Sequence, residues 1–241
     1  MRRSKLYRQQ LDVIGDIQAR RSVSEAIEML QKLPGVKFDQ TAELALKLGV
    51  DTRKSDQTVR GAVTLPRGTG KTVKVAVVAD GAAAEEAREA GADYVGFEDL
   101  VQQIKDGFAD FDTLIATPDA MRLVRPLGRQ LGPRGLMPNP KTGTVTEATG
   151  NAVREAKAGR AEFRADRGAC VHVPFGKLSF EAAALQENFE AIIDAVNKAK
   201  PTSAKGVYIQ SCTISATMTP GIKIALKELS RGAKLEVKSN F

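Results

Sequence analysis

The first regular pattern along the chain is that of an amphipathic helix that follows Ser22. Ser22 and Glu25 have the spacing of a capping box, which satisfies free main-chain N–H groups at the start of a helix. The apolar residues that follow recur at helical spacing, at Ala26, Ile27, Leu30 and Leu33. The pattern predicts a helix that ends at Pro34-Gly35.

Between Val36 and Leu48 the period of the apolar residues changes to two. One side of this stretch is apolar, at Val36, Phe38, Ala42, Leu44, Leu46 and Leu48. The alternation predicts a half-buried strand with Phe38 on its buried face. Two more apolar runs follow at 59–65 and 72–79, separated by the turn-like stretch PRGTGKT.

Residues 73–159 alternate between strand and helix patterns. The runs VKVAVVA, YVGF and DTLIA favour strands, and AAAEEAREA, EDLVQQIKDG and TPDAMRLV favour helices. Such alternation is typical of a parallel sheet covered by helices. The residues after the first strand, Asp80-Gly81-Ala82, lack the glycine spacing that a dinucleotide site needs.

The last third of the chain returns to strands and one long helix. RAEFR, ACVHV and VYIQSCTISAT favour strands, and residues 180–198 favour a helix. Both flanks therefore share an α+β character that the middle lacks. We predict an α/β and α+β protein of two domains: a discontinuous α+β domain from residues 1–68 and 160–241, and an inserted Rossmann-like α/β domain at 69–159.

The charge follows the same division. Residues 70–159 carry 11 basic and 13 acidic residues, net −2, which leaves 25 basic and 16 acidic residues, net +9, in the flanks. A surplus of this size favours a polyanionic partner, because each neutralised phosphate releases a counterion. Charge alone is equally compatible with a role in solubility.

The stretch PRGTGKT ends like a phosphate-binding loop. The first glycine of that motif would fall at position 65, which is Leu65. Thr72 leads directly into a strand pattern, whereas a phosphate-binding loop leads into a helix. We interpret the stretch as a turn between strands; the alternative is a nucleotide-dependent enzyme that uses Lys71.

Other enzymatic and membrane signals are weak. Cys170 and Cys212 stand singly in strand-like runs, which predicts buried thiols, and the one histidine, His172, is interpreted as a strand residue. We therefore predict no catalytic residue, no metal site and no cofactor. No apolar run has the length of a membrane span, and MRRSKLYRQQ is no secretory signal, so we expect a cytoplasmic protein.

Residues 120–146 contain five basic residues and no acidic one. The basic residues are Arg122, Arg125, Arg129, Arg134 and Lys141. Frequent Gly and Pro argue against a helix or a central strand, and exposed arginines suit phosphate contacts. A structural loop whose arginines are solvated, or paired with the acid-rich run at 80–119, is equally compatible with the composition.

The motif IATPDAMRLVRPLGRQLGPRGLMPNPKTGTV resembles the signature of the L-one family of large-subunit ribosomal proteins, bacterial type. Further matches follow in order: VKFDQTAELALKLGVD, KSDQTVRGAVTLP, GADYVG, AGRAEFRADRGACVHVPFGKLSF and TISATMTPGIKI. The likeness runs from about Ser22 to Ile224. The tail from residue 225 to 241 continues past the expected end of the family.

The resemblance implies that the split domain binds large-subunit rRNA. The matching motifs imply the rRNA-binding residues Lys37, Phe38, Thr41, Lys177, Ser179, Ser215, Thr217, Met218, Thr219, Pro220 and Gly221, and a secondary basic loop of Arg125, Arg129, Arg134 and Lys141. Lysines can neutralise phosphates and hydroxyls can contact 2′-hydroxyl groups. Only the resemblance, and not the alternation, assigns Phe38 to the surface. The family usually has Gly in place of Thr219, which leaves backbone contact there in question.

The resemblance also implies the partners. They are the large-subunit rRNA of the mobile stalk, exit-site tRNA whose release the stalk assists, and the leader of the protein's own mRNA, through which it represses translation. Neither an enzymatic activity, a membrane nor a small-molecule substrate is implied, and the protein is expected to be a monomer off the ribosome. The second alternative is a general nucleic-acid chaperone that acts through charge alone.

Overall fold

The computed structural model describes residues 3–226, apart from the side chains of Ser55 and Lys141. These residues form two compact units. The split unit takes its described residues from 1–70 and 161–241, and the central unit comprises 71–160. The fold is mixed α/β, as predicted. Residues 227–241, most of the tail noted above, lie outside the described part.

The described residues contain eight α-helices and nine β-strands. The helices are α1 (Lys5–Ile14), α2 (Val23–Lys32), α3 (Gly81–Glu89), α4 (Glu98–Lys105), α5 (Met121–Val124), α6 (Gly128–Leu131), α7 (Thr149–Gly159) and α8 (Ala182–Lys198). The strands are β1 (Thr41–Leu48), β2 (Arg60–Thr64), β3 (Val75–Val78), β4 (Tyr94–Gly96), β5 (Thr113–Ala116), β6 (Arg160–Arg164), β7 (Cys170–Lys177), β8 (Ile209–Ala216) and β9 (Ile222–Lys223).

The split unit is built on an antiparallel sheet in the order β7-β1-β8-β9. Alternate residues of β1 are buried, from Ala42 to Leu48, which confirms the predicted half-buried strand. The strand begins at Thr41 and not at Val36. Gln40 breaks the apolar alternation, and residues 37–38 form a bend instead of entering the sheet.

Two helices cover the buried face of this sheet. The predicted apolar stripe of α8 is buried, at Leu185, Phe189, Ile192, Ile193 and Val196. The capping box of α2 is also confirmed. Ser22 Oγ accepts the Glu25 N–H at 3.3 Å, and the Glu25 carboxylate accepts the Ser22 N–H at 3.3 Å. Strands β2 and β6 form a separate pair.

The central unit contains a parallel sheet in the order β4-β3-β5, which confirms the predicted alternation. All four residues of β3 are buried, since both faces of the sheet are covered. The sequence analysis does not assign α7, which buries Ala152, Val153 and Ala156 in the same apolar cluster as Val75 and Val77.

One prediction about the basic stretch is wrong. Residues 125–131, expected to be a loop, are helical, because a 3-10 turn at Arg125–Leu127 leads into α6; α5 lies within the predicted helix TPDAMRLV. Pro126 is tolerated because it stands in the first turn, where a helix needs no N–H donor. The buried residues Val124, Leu127 and Leu131 anchor these turns.

Candidate nucleic-acid interface

Three segments of the split unit meet at one end of its four-stranded sheet. The strand register places Thr41 opposite Lys177 and Ala42 opposite Ala216. The start of β1 therefore lies between the ends of β7 and β8. We call this place the hydroxyl-rich end. It contains all the residues predicted to bind rRNA: Lys37, Phe38, Thr41, Lys177, Ser179, Ser215, Thr217, Met218, Thr219, Pro220 and Gly221.

Thr41 is the centre of the hydrogen bonds at the hydroxyl-rich end. Its N–H donates to Thr217 Oγ1 at 3.3 Å, and the Thr217 hydroxyl lies 3.4 Å from the Thr41 carbonyl oxygen. Lys177 Nζ donates to Thr41 Oγ1 at 2.9 Å. The Lys177 ammonium group therefore contacts the hydroxyl of the same threonine whose main chain contacts the Thr217 hydroxyl.

Asp39 connects Ser179 to the same end. Its carboxylate accepts the Ser179 hydroxyl at 2.8 Å and the Ser179 N–H at 3.3 Å. Lys37 is exposed, and it forms no ion pair with any residue between 3 and 226. The Lys37 ammonium group is therefore free of a carboxylate partner among the described residues, two positions before the hydrogen-bonded Asp39.

Two large apolar side chains are exposed at the hydroxyl-rich end. Phe38 is 53% exposed and Met218 is 54% exposed. The alternation pattern placed Phe38 in the core, and this is wrong, because the chain enters the sheet only at Thr41. Exposed apolar surface beside hydroxyl groups and cations can stack on a base or a sugar.

The turn after β8 is closed by Thr219. Thr219 Oγ1 accepts the Ala216 N–H at 2.8 Å, and Thr219 N–H donates to the Ala216 carbonyl at 3.1 Å. Among the described non-glycine residues only Ala169 has a positive φ, so threonine is unstrained at position 219. Its hydroxyl is used within the turn.

The other residues of this region that were predicted to bind rRNA are less exposed to solvent. Pro220 is buried, and Ser215 is partly buried on the sheet opposite Glu43. At Gly221 an added Cβ would lie 2.8 Å from Thr213 Cγ2, so the position requires a small residue. The exposed surface of the turn therefore comes from Thr217 and Met218.

Asp39 and Gln40 are two residues of the hydroxyl-rich end that were not among the predicted site residues. Gln40 is 3% exposed, and its Oε1 accepts the Met218 N–H at 2.9 Å. The signal that could have found it is its position: Gln40 stands where the period-two pattern calls for an apolar residue. A polar residue there must have a hydrogen-bond partner when buried.

A second surface lies at the opposite end of the same sheet. A groove of about 790 Å³ is formed where β1 ends and where β7 and β8 begin. Its lining includes four cations, Lys47, Arg53, Arg167 and Lys205, and one carboxylate, Asp51. In the described part of the chain none of the four cations forms an ion pair. We call this the cationic groove; the sequence analysis did not predict it.

The backbone around the cationic groove is closely packed. An added Cβ at Gly49 would lie 2.2 Å from the Val207 carbonyl oxygen, so only glycine fits there. The Lys47 ammonium donates to the Gly168 carbonyl, which connects β1 to the turn before β7. The segments that carry Lys47 and Arg167 are therefore joined by a hydrogen bond, and Gly49 packs closely against Val207, shortly before β8.

The secondary basic loop lies in the central unit. Arg125, Arg129 and Arg134 are exposed, and no described carboxylate pairs with them. Pairing with the acid-rich run at 80–119 is therefore not seen for these three arginines. The side chain of Lys141 is not described.

Known proteins match this chain over most of its length. Residues 30–220 match the ribosomal protein L1p/L10e family. The chain belongs to this family. It is 55% identical over 208 residues to the large ribosomal subunit protein uL1 of Methylobacillus flagellatus, which covers 86% of this chain and 90% of that protein. The corresponding protein of Saccharophagus degradans is 56% identical, with 87% and 90% covered.

A third relative gives the same assignment. The large ribosomal subunit protein uL1 of Protochlamydia amoebophila is 54% identical over 213 residues, which cover 88% of this chain and 90% of that protein. The resemblance to the L-one family, bacterial type, is thereby confirmed. Because the relatives match at nearly full length, the likeness includes both flanks and the middle.

The nucleotide-enzyme alternative depends on Lys71. In this member of the L1p/L10e family, Lys71 lies in the connection from β2 to β3, so the element that follows it is a strand and not a helix. Its ammonium group pairs with Asp112. The geometry of a phosphate-binding loop, with a helix N-terminus behind the lysine, is not formed at this position.

The cysteines and the histidine lie in strands. Cys212 is buried, and burial raises the pKa of its thiol to about 12. Cys170 is half-buried in β7, next to the exposed His172. Between residues 3 and 226 there is no group of three or more His, Cys, Asp or Glu side chains that could bind a metal ion. In the same range no helix is long and apolar enough to cross a membrane.

Proposed function

We propose that this chain is an RNA-binding structural constituent of the large ribosomal subunit, without enzymatic activity or a cofactor. Its relatives are named as proteins of that subunit, and it is a ribosome-associated protein of the cytoplasm. The observation that carries the proposal is the hydroxyl-rich end. There Lys177, two threonine hydroxyls and two exposed apolar side chains lie together, as recognition of a folded RNA by shape requires.

The proposal assigns different roles to the two parts of the chain. Residues 1–68 and 160–241 form the domain that binds the stalk rRNA, and residues 69–159 form an inserted Rossmann-like domain. Lys37 and Lys177 neutralise phosphates, Thr217 contacts the sugar or base edges, and Phe38 and Met218 form an apolar platform. The secondary basic loop gives the inserted domain its own phosphate contacts, through Arg125, Arg129, Arg134 and Lys141.

Exit-site tRNA is the proposed second partner, and the cationic groove supports it. The eight residues of β1 separate the two ends of the sheet by roughly 25 Å. Two RNA backbones can bind at that separation without competing for one surface. One protein can then remain on the rRNA while it engages and releases deacylated tRNA.

Repression through the protein's own mRNA leader is the third element of the proposal. Both RNAs would use the hydroxyl-rich end, so a free protein molecule binds one or the other. If rRNA binds more tightly, the leader is occupied only when rRNA is saturated. The protein would bind either RNA as a monomer.

The direct experiment is a footprint of the protein on total large-subunit rRNA at physiological salt, with affinities for the protected element. We expect protection of one stalk element, and a loss of affinity in Thr217→Ala and Met218→Ala. The control is Val13→Ala, which removes an equally exposed apolar side chain from α1. Equal affinity for any duplex would support the charge-only chaperone instead. Saturable nucleotide binding that Lys71→Ala abolishes would support the enzyme.

A further inference from the structure

Gln40 connects the three segments of the hydroxyl-rich end. Its side chain is buried, and Oε1 accepts the main-chain N–H of Met218 at 2.9 Å. Its own carbonyl oxygen accepts the Leu178 N–H, also at 2.9 Å. One residue before β1 therefore contacts both the segment that follows β7 and the turn that follows β8.

The turn at 216–219 needs such a contact. Thr219 closes the turn on itself through Ala216, but that local bond does not orient the turn relative to β1. Beyond the β1–β8 pairing, which ends at Ala216, side-chain hydrogen bonds join the turn to Gln40 and Thr41. Thr217 Oγ1 lies 3.3–3.4 Å from the Thr41 nitrogen and carbonyl oxygen, and Gln40 Oε1 lies 2.9 Å from the Met218 nitrogen. The Gln40 bond is the shorter one and its acceptor side chain is buried, whereas the Thr217 bonds are exposed, so the Gln40 bond is the stronger contact.

We propose that Gln40 is a positioning residue for RNA binding. Its buried amide fixes the main chain at Met218, so that the exposed side chains of Thr217 and Met218 are in place before RNA arrives. This inference rests on the proposed RNA-binding function. Because Gln40 is buried, it acts through residue 218 and does not itself reach the RNA. If the turn is correctly placed in only one-tenth of free molecules, the apparent Kd rises about tenfold.

The test compares two buried glutamines. Gln40→Met keeps the approximate length but removes the acceptor for the Met218 N–H. Gln10→Met is the matched control. Gln10 lies in helix α1, is fully buried, and donates a hydrogen bond from its side-chain amide to the Pro34 carbonyl at 2.8 Å. Both variants are measured at a temperature at which circular dichroism shows them folded. We expect Kd for the stalk rRNA to rise about tenfold in Gln40→Met only.

Amide hydrogen exchange gives a readout that a general loss of stability would not move. Exchange of the Met218 N–H should accelerate in Gln40→Met and stay slow in Gln10→Met. Gln40→Glu retains an acceptor oxygen and should restore slow exchange. If Gln40→Met does not fold, Gln40→Asn replaces it, since its amide is one methylene too short for the bond. If exchange of the Met218 N–H is unchanged in Gln40→Met, or in Gln40→Asn where that variant is used instead, the inference is overturned.

A double-mutant cycle separates this inference from the proposed function. If Gln40 acts by placing residue 218, the losses in Gln40→Met and Met218→Ala combine to less than their sum. Additive losses count against the positioning role. If Thr217→Ala and Met218→Ala leave rRNA affinity unchanged, the proposed function itself fails. If these two variants weaken binding and Gln40→Met does not, only the positioning role is lost.

Discussion

The two ends of the four-stranded sheet differ in the chemistry that they present to the proposed RNA partners. The hydroxyl-rich end combines exposed Phe38 and Met218 with two hydrogen-bonded threonines, of which Thr41 also accepts a hydrogen bond from Lys177. The cationic groove instead presents four unpaired cations on closely packed backbone. The first arrangement depends on the shape of its partner and the second on its charge. In the proposed function, one end of the sheet selects an RNA by its shape and the other end attracts RNA by its charge.

Phe38→Ala should have the largest effect at the hydroxyl-rich end. Loss of a stacking side chain costs about 1–3 kcal/mol of binding free energy, so the rRNA affinity should fall roughly 5- to 150-fold. The slope of affinity against salt should change little, since no charge is removed. Fluorescence titrations at several salt concentrations check both values. A stable variant with unchanged affinity would remove Phe38 from the binding surface.

Loss of three cations from the groove should instead change the salt dependence of binding and leave the rRNA affinity nearly unchanged. In the triple variant Arg53→Gln, Arg167→Gln, Lys205→Gln the slope of log affinity for tRNA against log salt should decrease by about 2 to 3. Affinity for the stalk rRNA should stay within about twofold, because shape contacts remain. The matched control replaces Lys5, Arg8 and Lys32 with Gln. An equal loss of tRNA binding in the control would show that only net charge matters.

Thr219→Gly should loosen the hydroxyl-rich end moderately. The change removes the acceptor for the Ala216 N–H and adds backbone freedom, at a combined cost of about 1–2 kcal/mol in the free energy of unfolding. Urea unfolding followed by circular dichroism measures this cost. A few-fold loss of rRNA affinity should accompany it. Unchanged stability would mean that the turn is held without the threonine hydroxyl.

The central unit should show the smallest effect, and only in acid. The pKa of Asp93 is lowered by a hydrogen bond from the Val75 N–H and by the charge of Lys157. The pKa of Asp112 is lowered by hydrogen bonds from the Lys71 ammonium group and the Lys74 N–H. A carboxylate whose pKa is lowered on folding stabilises the folded unit at pH values above its ordinary pKa of 3.8. This stabilisation is lost as the pH falls from 3.8 through the lowered pKa. Because both side chains are about one-third exposed, we expect less than about 1 kcal/mol.

The measurement is the urea midpoint of the full chain at pH 7, 5 and 3. Wild type should lose stability mainly between pH 5 and 3. Asp93→Asn should start lower at pH 7 and lose less on acidification, because it cannot be protonated. A variant that falls as steeply as the wild type would assign the acid sensitivity to other carboxylates.

Local patterns predicted the elements whose formation depends on neighbours in sequence. The capping box of α2, the stripe of α8 and the alternation of the parallel sheet are of this kind. The start of β1 could not be predicted in this way. It is set by partners at 177–178 and 217, more than 130 residues away, and Phe38 was misplaced for that reason.

The candidate site shows the same limit. Motifs located the residues of the hydroxyl-rich end, and their role in RNA binding stays a prediction. Gln40 and the cationic groove depend on the register between distant strands, which no single stretch of sequence encodes. The helical turns at 125–131 were missed because Pro and Gly were weighed without the buried residues Leu127 and Leu131 between them.

The order of strands in the split sheet has a consequence for protein synthesis. β1 near the start of the chain pairs with β8, which ends at residue 216 of 241. At about 5–20 residues per second, the nascent chain waits roughly 10–30 s after β1 is made before its partner is translated. The hydroxyl-rich end therefore cannot form before translation has passed residue 221. Under the proposed repression mechanism, the leader of the mRNA could therefore be bound only by copies in which β8 has already paired with β1.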